Sequence, residues 1–228
     1  MRLRCLCCAV GVLTLLLGRP AFGQTVPASL RYELTDAVLA RVRPMALLPP
    51  ARPGPGGQLV QPPAQLLPVL LLDRPDSAWV ASQLGRVLDA LASPAPAQRR
   101  NRFTPADLTY MRQQLARSAR QRLAPHRLRQ PGVVLVSADT VTALYRRGGA
   151  RRRQQYGVEQ YDYTVGDSLQ RRFGSLQLFQ ISGPLFSSDH RRAVLTVAVD
   201  DGWQTFVYRK MGATWREDEA LEAGVSCH

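Results

Sequence analysis

An α+β fold, with N-terminal helices packed on a C-terminal antiparallel sheet of hairpins, follows from three observations in the sequence. Apolar residues at helical spacing dominate as far as Leu123. Strand formers dominate after Tyr156, in the runs Leu176 to Ile181, Ala193 to Val199 and Trp203 to Arg209. Between the last two runs stands Asp201-Gly202, the strongest short-range hairpin signal. The chain has 228 residues, 45% of them hydrophobic and 21% charged, the balance of a globular domain. That excludes wholesale disorder, collagen and a multi-span membrane protein.

The elements follow in order. Arg2 and Arg4 precede an apolar run from Cys5 to Gly18, and Ala21-Phe22-Gly23 has the small-x-small pattern of a cleavage site. Residues 1–23 are therefore expected to be a signal peptide, with the protein exported to the periplasm or the exterior. The run is too short to span a bilayer, which takes about 20 residues. No later stretch has membrane length, so no transmembrane segment is expected after the leader is removed.

Residues 24–98 read as a helical segment with a proline-rich loop. Leu30, Leu34, Val38 and Val42 line one face of a first helix, from about Ser29, and Pro44 stops it. Residues 43–68 hold eight prolines and three glycines, which predicts an extended or mobile loop. A second helix over Ser77 to Ala92 has Asp76 as its N-cap and Val80, Leu84, Val87, Leu88 and Leu91 on its apolar face.

Residues 99–228 read as the α+β domain with antiparallel strands. Thr104 caps a third helix, Pro105 suits its first position and Asp107 completes a capping box. Leu108, Met111, Leu115, Ala119 and Leu123 make its buried stripe, and Pro125 ends it. Val133 to Val136 is a short β-branched run. Ser137 then caps a brief helix with Val141, Leu144 and Tyr145 inward and Gly148 as its stop. From Tyr156 the pattern reads as mostly strands, with a further turn at Gly212.

The formal charge is +13, and 29 of the 30 basic residues are Arg, Lys210 being the exception. Without the leader, 27 basic residues face 17 acidic ones, a net +10. The excess lies in the middle third, where residues 99–153 carry 14 basic against 2 acidic groups. A chain chosen to grip phosphate mixes Lys with Arg, so part of this charge reflects an Arg-biased composition. The clusters are Arg99, Arg100 and Arg102; Arg127 and Arg129; and Arg146, Arg147, Arg151, Arg152 and Arg153. Grouped guanidiniums bind phosphate or carboxylate bidentately, which makes Arg146, Arg147, Arg151, Arg152 and Arg153 a candidate anion-binding set. Nucleic acid is not an expected partner, because aromatic residues for stacking are sparse beside the charge. Anionic glycans or lipid head groups fit better.

Other chemistry is thin. Ser188-Asp189-His190 holds the residue types of a hydrolytic triad, but neighbouring side chains diverge, and a polar turn is expected. His126, His190 and His228 have no metal-ligand spacing, so neither metal nor cofactor is expected. Glu217, Asp218, Glu219 and Glu222 read as a solvated acidic run in a tail. Cys5, Cys7 and Cys8 leave with the leader, so Cys227 is a free thiol and no internal disulfide is expected.

Several motifs carry a resemblance: Thr104-Pro105-Ala106-Asp107-Leu108 with Gln113-Gln114-Leu115, then Val134 to Asp139, Ile181 to Asp189 leading into Ala193-Val194-Leu195, and Gly212-Ala213-Thr214-Trp215. Over Phe103 to Trp215 the chain resembles a group of small uncharacterised exported bacterial proteins. Members often place a cysteine pair in the hairpin region, where this chain has Val199-Asp200-Asp201-Gly202. The resemblance implies fold and export and brings no activity. The expectation is a non-enzymatic binding or envelope-associated domain. The alternatives are an anionic-polymer or head-group binder working through Arg146 to Arg153, and a hydrolase with a dispersed site.

Overall fold

The computed structural model describes residues 25–93, 103–118, 120–156, 163–199 and 202–225. The leader expected over residues 1–23 lies outside them, as do Asp201, Cys227 and His228. The chain runs α1 (Ala28–Leu39), β1 (Ala46–Leu47), β2 (Arg52–Pro53), β3 (Leu59–Val60), β4 (Gln65–Leu66), β5 (Val69–Leu72), α2 (Ser77–Ala92) and α3 (Pro105–Ser118). It continues with β6 (Val133–Val136), α4 (Ala138–Tyr156), α5 (Tyr163–Phe173), β7 (Leu178–Ile181), β8 (Leu185–Phe186), β9 (Arg192–Val199), β10 (Gly202–Met211) and β11 (Thr214–Val225). The fold is α+β: the described α-helices all precede the run of strands β7 to β11, which makes most of the main sheet.

The main sheet has the order β11-β10-β9-β7-β5-β6, with β8 also paired to β9. Its C-terminal half is the expected antiparallel meander, with β9 on β10 and β10 on β11. Gly212 makes the second turn at φ +60°, a region that costs other residues more. Its other half was not expected: β5 lies parallel to both β6 and β7, so the sheet is mixed. Val69-Leu70-Leu71-Leu72 pairs with Val133-Val134-Leu135-Val136 across more than sixty intervening residues. Both strands are covered on two sides, so each reads as an unbroken aliphatic run without alternation.

Alternation within the sheet still sorts the core. On one face Val69, Leu71, Phe179, Ile181, Ala193, Leu195, Tyr208 and Trp215 pack against Leu34, Val38 and Leu39 of α1. On the other, Leu185, Val194 and Val207 meet Val80, Leu84, Val87 and Leu88 of α2 and Leu108 and Met111 of α3. Beside them Leu70 and Val136 meet Val141 of α4 and Val165 and Leu169 of α5. Full burial of an aliphatic side chain contributes about 1.5–3 kcal/mol, so these three clusters dominate stability.

The helix starts are built as their residues dictate. Asp76 Oδ1 accepts from Ala78 and Trp79 N–H, both at 2.9 Å. Thr104 Oγ1 accepts from Asp107 N–H at 3.1 Å while Asp107 Oδ2 accepts from Thr104 N–H at 3.0 Å, a reciprocal capping box. α3 ends at Ser118, and Leu123 lies past it, half-buried beside the α1 cluster.

Four expectations are corrected. Gly148 does not stop the helix after Ser137, which runs on to Tyr156. A helix-interior glycine costs only about 1 kcal/mol relative to alanine, and the Arg, Ala and Gln that follow are good helix formers. Tyr145 faces outward, 44% exposed. The first element described after Tyr156 is a helix and not a strand: α5 aligns Val165, Leu169 and Phe173 at a spacing of four, and Gly174 at φ +78° closes it. The acidic run is no tail either. Glu217, Asp218, Glu219 and Glu222 sit on β11, the edge strand, and Glu217 pairs with Arg41. Charges on an edge strand deter pairing with other chains.

The proline-rich stretch is extended, as expected, and it folds back on itself. β1 pairs with β4 and β2 with β3, which makes a two-limbed hairpin arm between α1 and β5.

Candidate anion-binding face on α4

α4 is placed by the strands it follows. It starts directly after β6, and Asp73, one residue beyond β5, accepts from Ala138 N–H at 2.9 Å. Ser137 Oγ accepts from Asp139 N–H at 3.3 Å, so the predicted cap is shared with a carboxylate from the neighbouring strand. A carboxylate there also meets the positive end of the helix dipole. Val141 turns into the sheet, which sends the opposite side of the helix to solvent.

That outer side lines a groove formed by Asp139, Thr142, Ala143, Arg146 and Arg147. Arg146 and Arg147 are exposed, and among the described residues neither forms an ion pair. The arginines nearby differ. Arg74 pairs with Asp139, and Arg122 bridges Asp73 at 3.2 Å and Asp139 at 3.6 Å. Four guanidiniums thus share a neighbourhood with two carboxylates, and among the described residues the two on α4 have no carboxylate partner. Thr142 Oγ1 is held by Ala138 C=O at 2.9 Å, one turn below the arginines. The site can therefore bind an anion by bidentate guanidinium contacts at its open end.

All five predicted residues fall on this one helix. Arg151, Arg152 and Arg153 continue α4 beyond Arg147. The sequence reading missed Asp73, Arg74, Arg122, Asp139 and Thr142. Asp73-Arg74 directly after an aliphatic run was the available signal, since the C-terminal ends of parallel strands are where open α/β sheets place sites. The other arginine clusters do not join the face. Arg127 lies over the Tyr32 ring at 5.1 Å, Arg129 N–H donates to Asp36 at 3.0 Å beside α1, and Arg99, Arg100 and Arg102 lie outside the described residues.

No family model, no curated protein and no solved structure matches this chain. What it does must be argued from its own chemistry.

The Ser188-Asp189-His190 turn forms a latch, and its side chains diverge. Ser188 donates its hydroxyl and its N–H to Asp107 Oδ1 at 2.6 and 2.8 Å. Ser187 Oγ donates to Asp189 Oδ1 at 2.6 Å, and Asp189 also accepts from Arg191 N–H at 3.0 Å. His190, at φ 56°, turns its Nε2 to Tyr110 Oη at 3.1 Å. The Ser188 proton is thus directed at the carboxylate that caps α3, and the imidazole faces a phenol. Nucleophile, base and orienter do not line up.

The titrations follow from the same contacts. Burial pushes the Asp107 carboxyl up, but hydrogen bonds from Ser188 and Thr104 outweigh it and hold it below the usual carboxylate range. Burial likewise raises Asp189, and the bonds from Ser187 and Arg191 bring it below. Burial lowers the His190 pKa, partly offset by Asp189. Among the described residues no three His, Cys, Asp or Glu side chains are grouped to hold a metal ion.

Proposed function

We propose that this protein is an exported, non-enzymatic binding domain that holds an anionic polymer of the cell envelope along α4. The observation that carries this reading is the pair Arg146 and Arg147, exposed on one side of a helix with no carboxylate partner among the described residues. A solvated arginine set in an Arg-rich chain scatters over the surface. Here the longest basic run lies on one helix, whose start follows directly on β6 and is held by Asp73, one residue past β5. Asp73 and Asp139 neutralise Arg74 and Arg122 and so mark where the positive field begins.

Polyphosphate and polygalacturonate, a phosphate and a carboxylate polymer, are the probes. Binding should weaken steeply with salt, and each arginine that contacts a charge should add about one to the log–log salt slope. Arg146→Gln with Arg147→Gln should lower that slope by about two without changing thermal unfolding, because both side chains are exposed. Retention of either polymer with an unchanged slope refutes the assignment.

A further inference from the structure

Among the described residues the hairpin arm is the least covered apolar surface. Among the described residues nine large hydrophobic side chains are exposed, and six belong to the arm: Met45, Leu47, Leu48, Leu59, Val60 and Leu66. Leu59 is 74% exposed, Leu48 68% and Leu66 67%. A soluble monomer does not gather aliphatic groups on one projection without a use for them. The arm's four strands pair only with each other, so the sheet does not cover them. Hydrogen bonds along its length give it shape. Leu67 N–H donates to Met45 C=O at 2.8 Å at the base, Gln61 Nε2 to Pro49 C=O at 2.5 Å midway, and Gly54 N–H to Gln58 C=O at 2.7 Å at the tip. The limbs approach closely there, since a Cβ on Gly54 would meet Val60 Cγ2 at 2.5 Å and displace that side chain.

We propose that this arm inserts into the interfacial layer of a membrane containing anionic lipid. Three features select that occupant. From residue 43 to residue 68 the only charges are Arg43 and Arg52, with no acid, which complements negative head groups. The exposed side chains are aliphatic, suited to the acyl boundary. The prolines at 49, 50, 53, 55, 62 and 63 remove N–H donors that an interface would leave unpaired. The same prolines disfavour strand addition by a second copy, which needs those donors. This inference stands apart from the α4 face and survives its failure.

The test uses the full chain with vesicles of equal phosphatidylglycerol and phosphatidylcholine, and with vesicles of phosphatidylcholine alone. Cosedimentation should favour the anionic vesicles. Leu48→Ser with Leu59→Ser should weaken it about a hundredfold, each aliphatic group contributing about tenfold on burial. Arg43→Gln with Arg52→Gln should weaken it by about fivefold per arginine on anionic vesicles only. A Leu48→Trp variant should lose emission beyond wild type when brominated lipid is used. That readout is local to the arm, so the apolar segment at residues 5–18 does not contribute. The inference is overturned if the serine variants bind as wild type does, or if bound Leu48→Trp is not quenched. Loss of binding in Arg146→Gln with Arg147→Gln alone, the arm variants being unaffected, would place the contact on α4 and overturn it too. So would a dimer that the serine substitutions dissociate.

Discussion

Gln114 substitutes for a missing strand, and Gln114→Met tests this. β8 is hydrogen-bonded to β9 on one side only. On its other side lies α3, and the Gln114 amide donates to Phe186 C=O at 2.8 Å while its Oε1 accepts from Phe186 N–H at 3.0 Å. One turn on, Ser118 Oγ donates to Gly183 C=O, and a Cβ at Gly183 would lie 2.7 Å from the Ser118 carbonyl oxygen. Methionine fills a similar volume but can make neither of the Gln114 bonds. Two bonds worth about 1 kcal/mol each are lost, and a buried N–H and C=O are stranded at about 1–3 kcal/mol apiece. Allowing for relaxation, about 2–5 kcal/mol is expected, a large part of the ~5–15 kcal/mol available to a domain. At ~2–4 °C per kcal/mol for a chain of this size, the melting temperature should fall by roughly 5–15 °C. Urea unfolding measures the loss, with the exposed neighbour Gln113→Met as control. Amide exchange at Phe186 should accelerate in parallel. A Gln114→Met variant within about 0.5 kcal/mol of wild type would refute the reasoning, because so small a loss is that of an exposed position and not of one that strands two buried groups.

Two more expectations follow from the core and the latch. Thr196 and Thr205 are buried cross-strand partners whose hydroxyls meet at 2.7 Å, so either Thr→Val alone strands the other hydroxyl and costs about 1–3 kcal/mol, whereas both together should restore much of the loss; strict additivity in a urea double-mutant cycle would refute the pairing. Stability should fall with acid in two windows: His190, with a lowered folded pKa, contributes fully above about pH 6.5 and loses this as pH falls through its folded value, and Asp107 and Asp189 contribute fully above about pH 4 and lose theirs below it. His190→Gln should flatten the upper window and Asp107→Asn the lower, as read by urea unfolding against pH; unchanged profiles would refute the latch.

Legibility in the sequence followed the range of the interactions. Asp76, and Thr104 with Asp107, announce helix starts because the cap and its N–H lie within three residues. β9 and β10 were readable because hairpin partners are neighbours in the chain, whereas β11 was hidden by its acidic run, which favours a solvated tail over a strand. α5 was missed although Val165, Leu169 and Phe173 keep helical spacing, because Tyr163, Thr164 and Val165 also favour strands. The arginines of α4 were visible as a run, but their grouping on one helix depended on the helix passing through Gly148 and Gly149.

The sequence by itself determined the helix starts, the β9–β10 hairpin, the charge and the extended character of residues 43–68, since each depends on residues close together in the chain. Tertiary structure decided that β5 pairs with β6 and β7, that Gln114 closes β8, and that Asp73 and Arg122 meet Asp139 beside α4. Those contacts join segments dozens of residues apart, and many chain closures of similar entropic cost compete for each. Only the packing of the whole sheet selects among them.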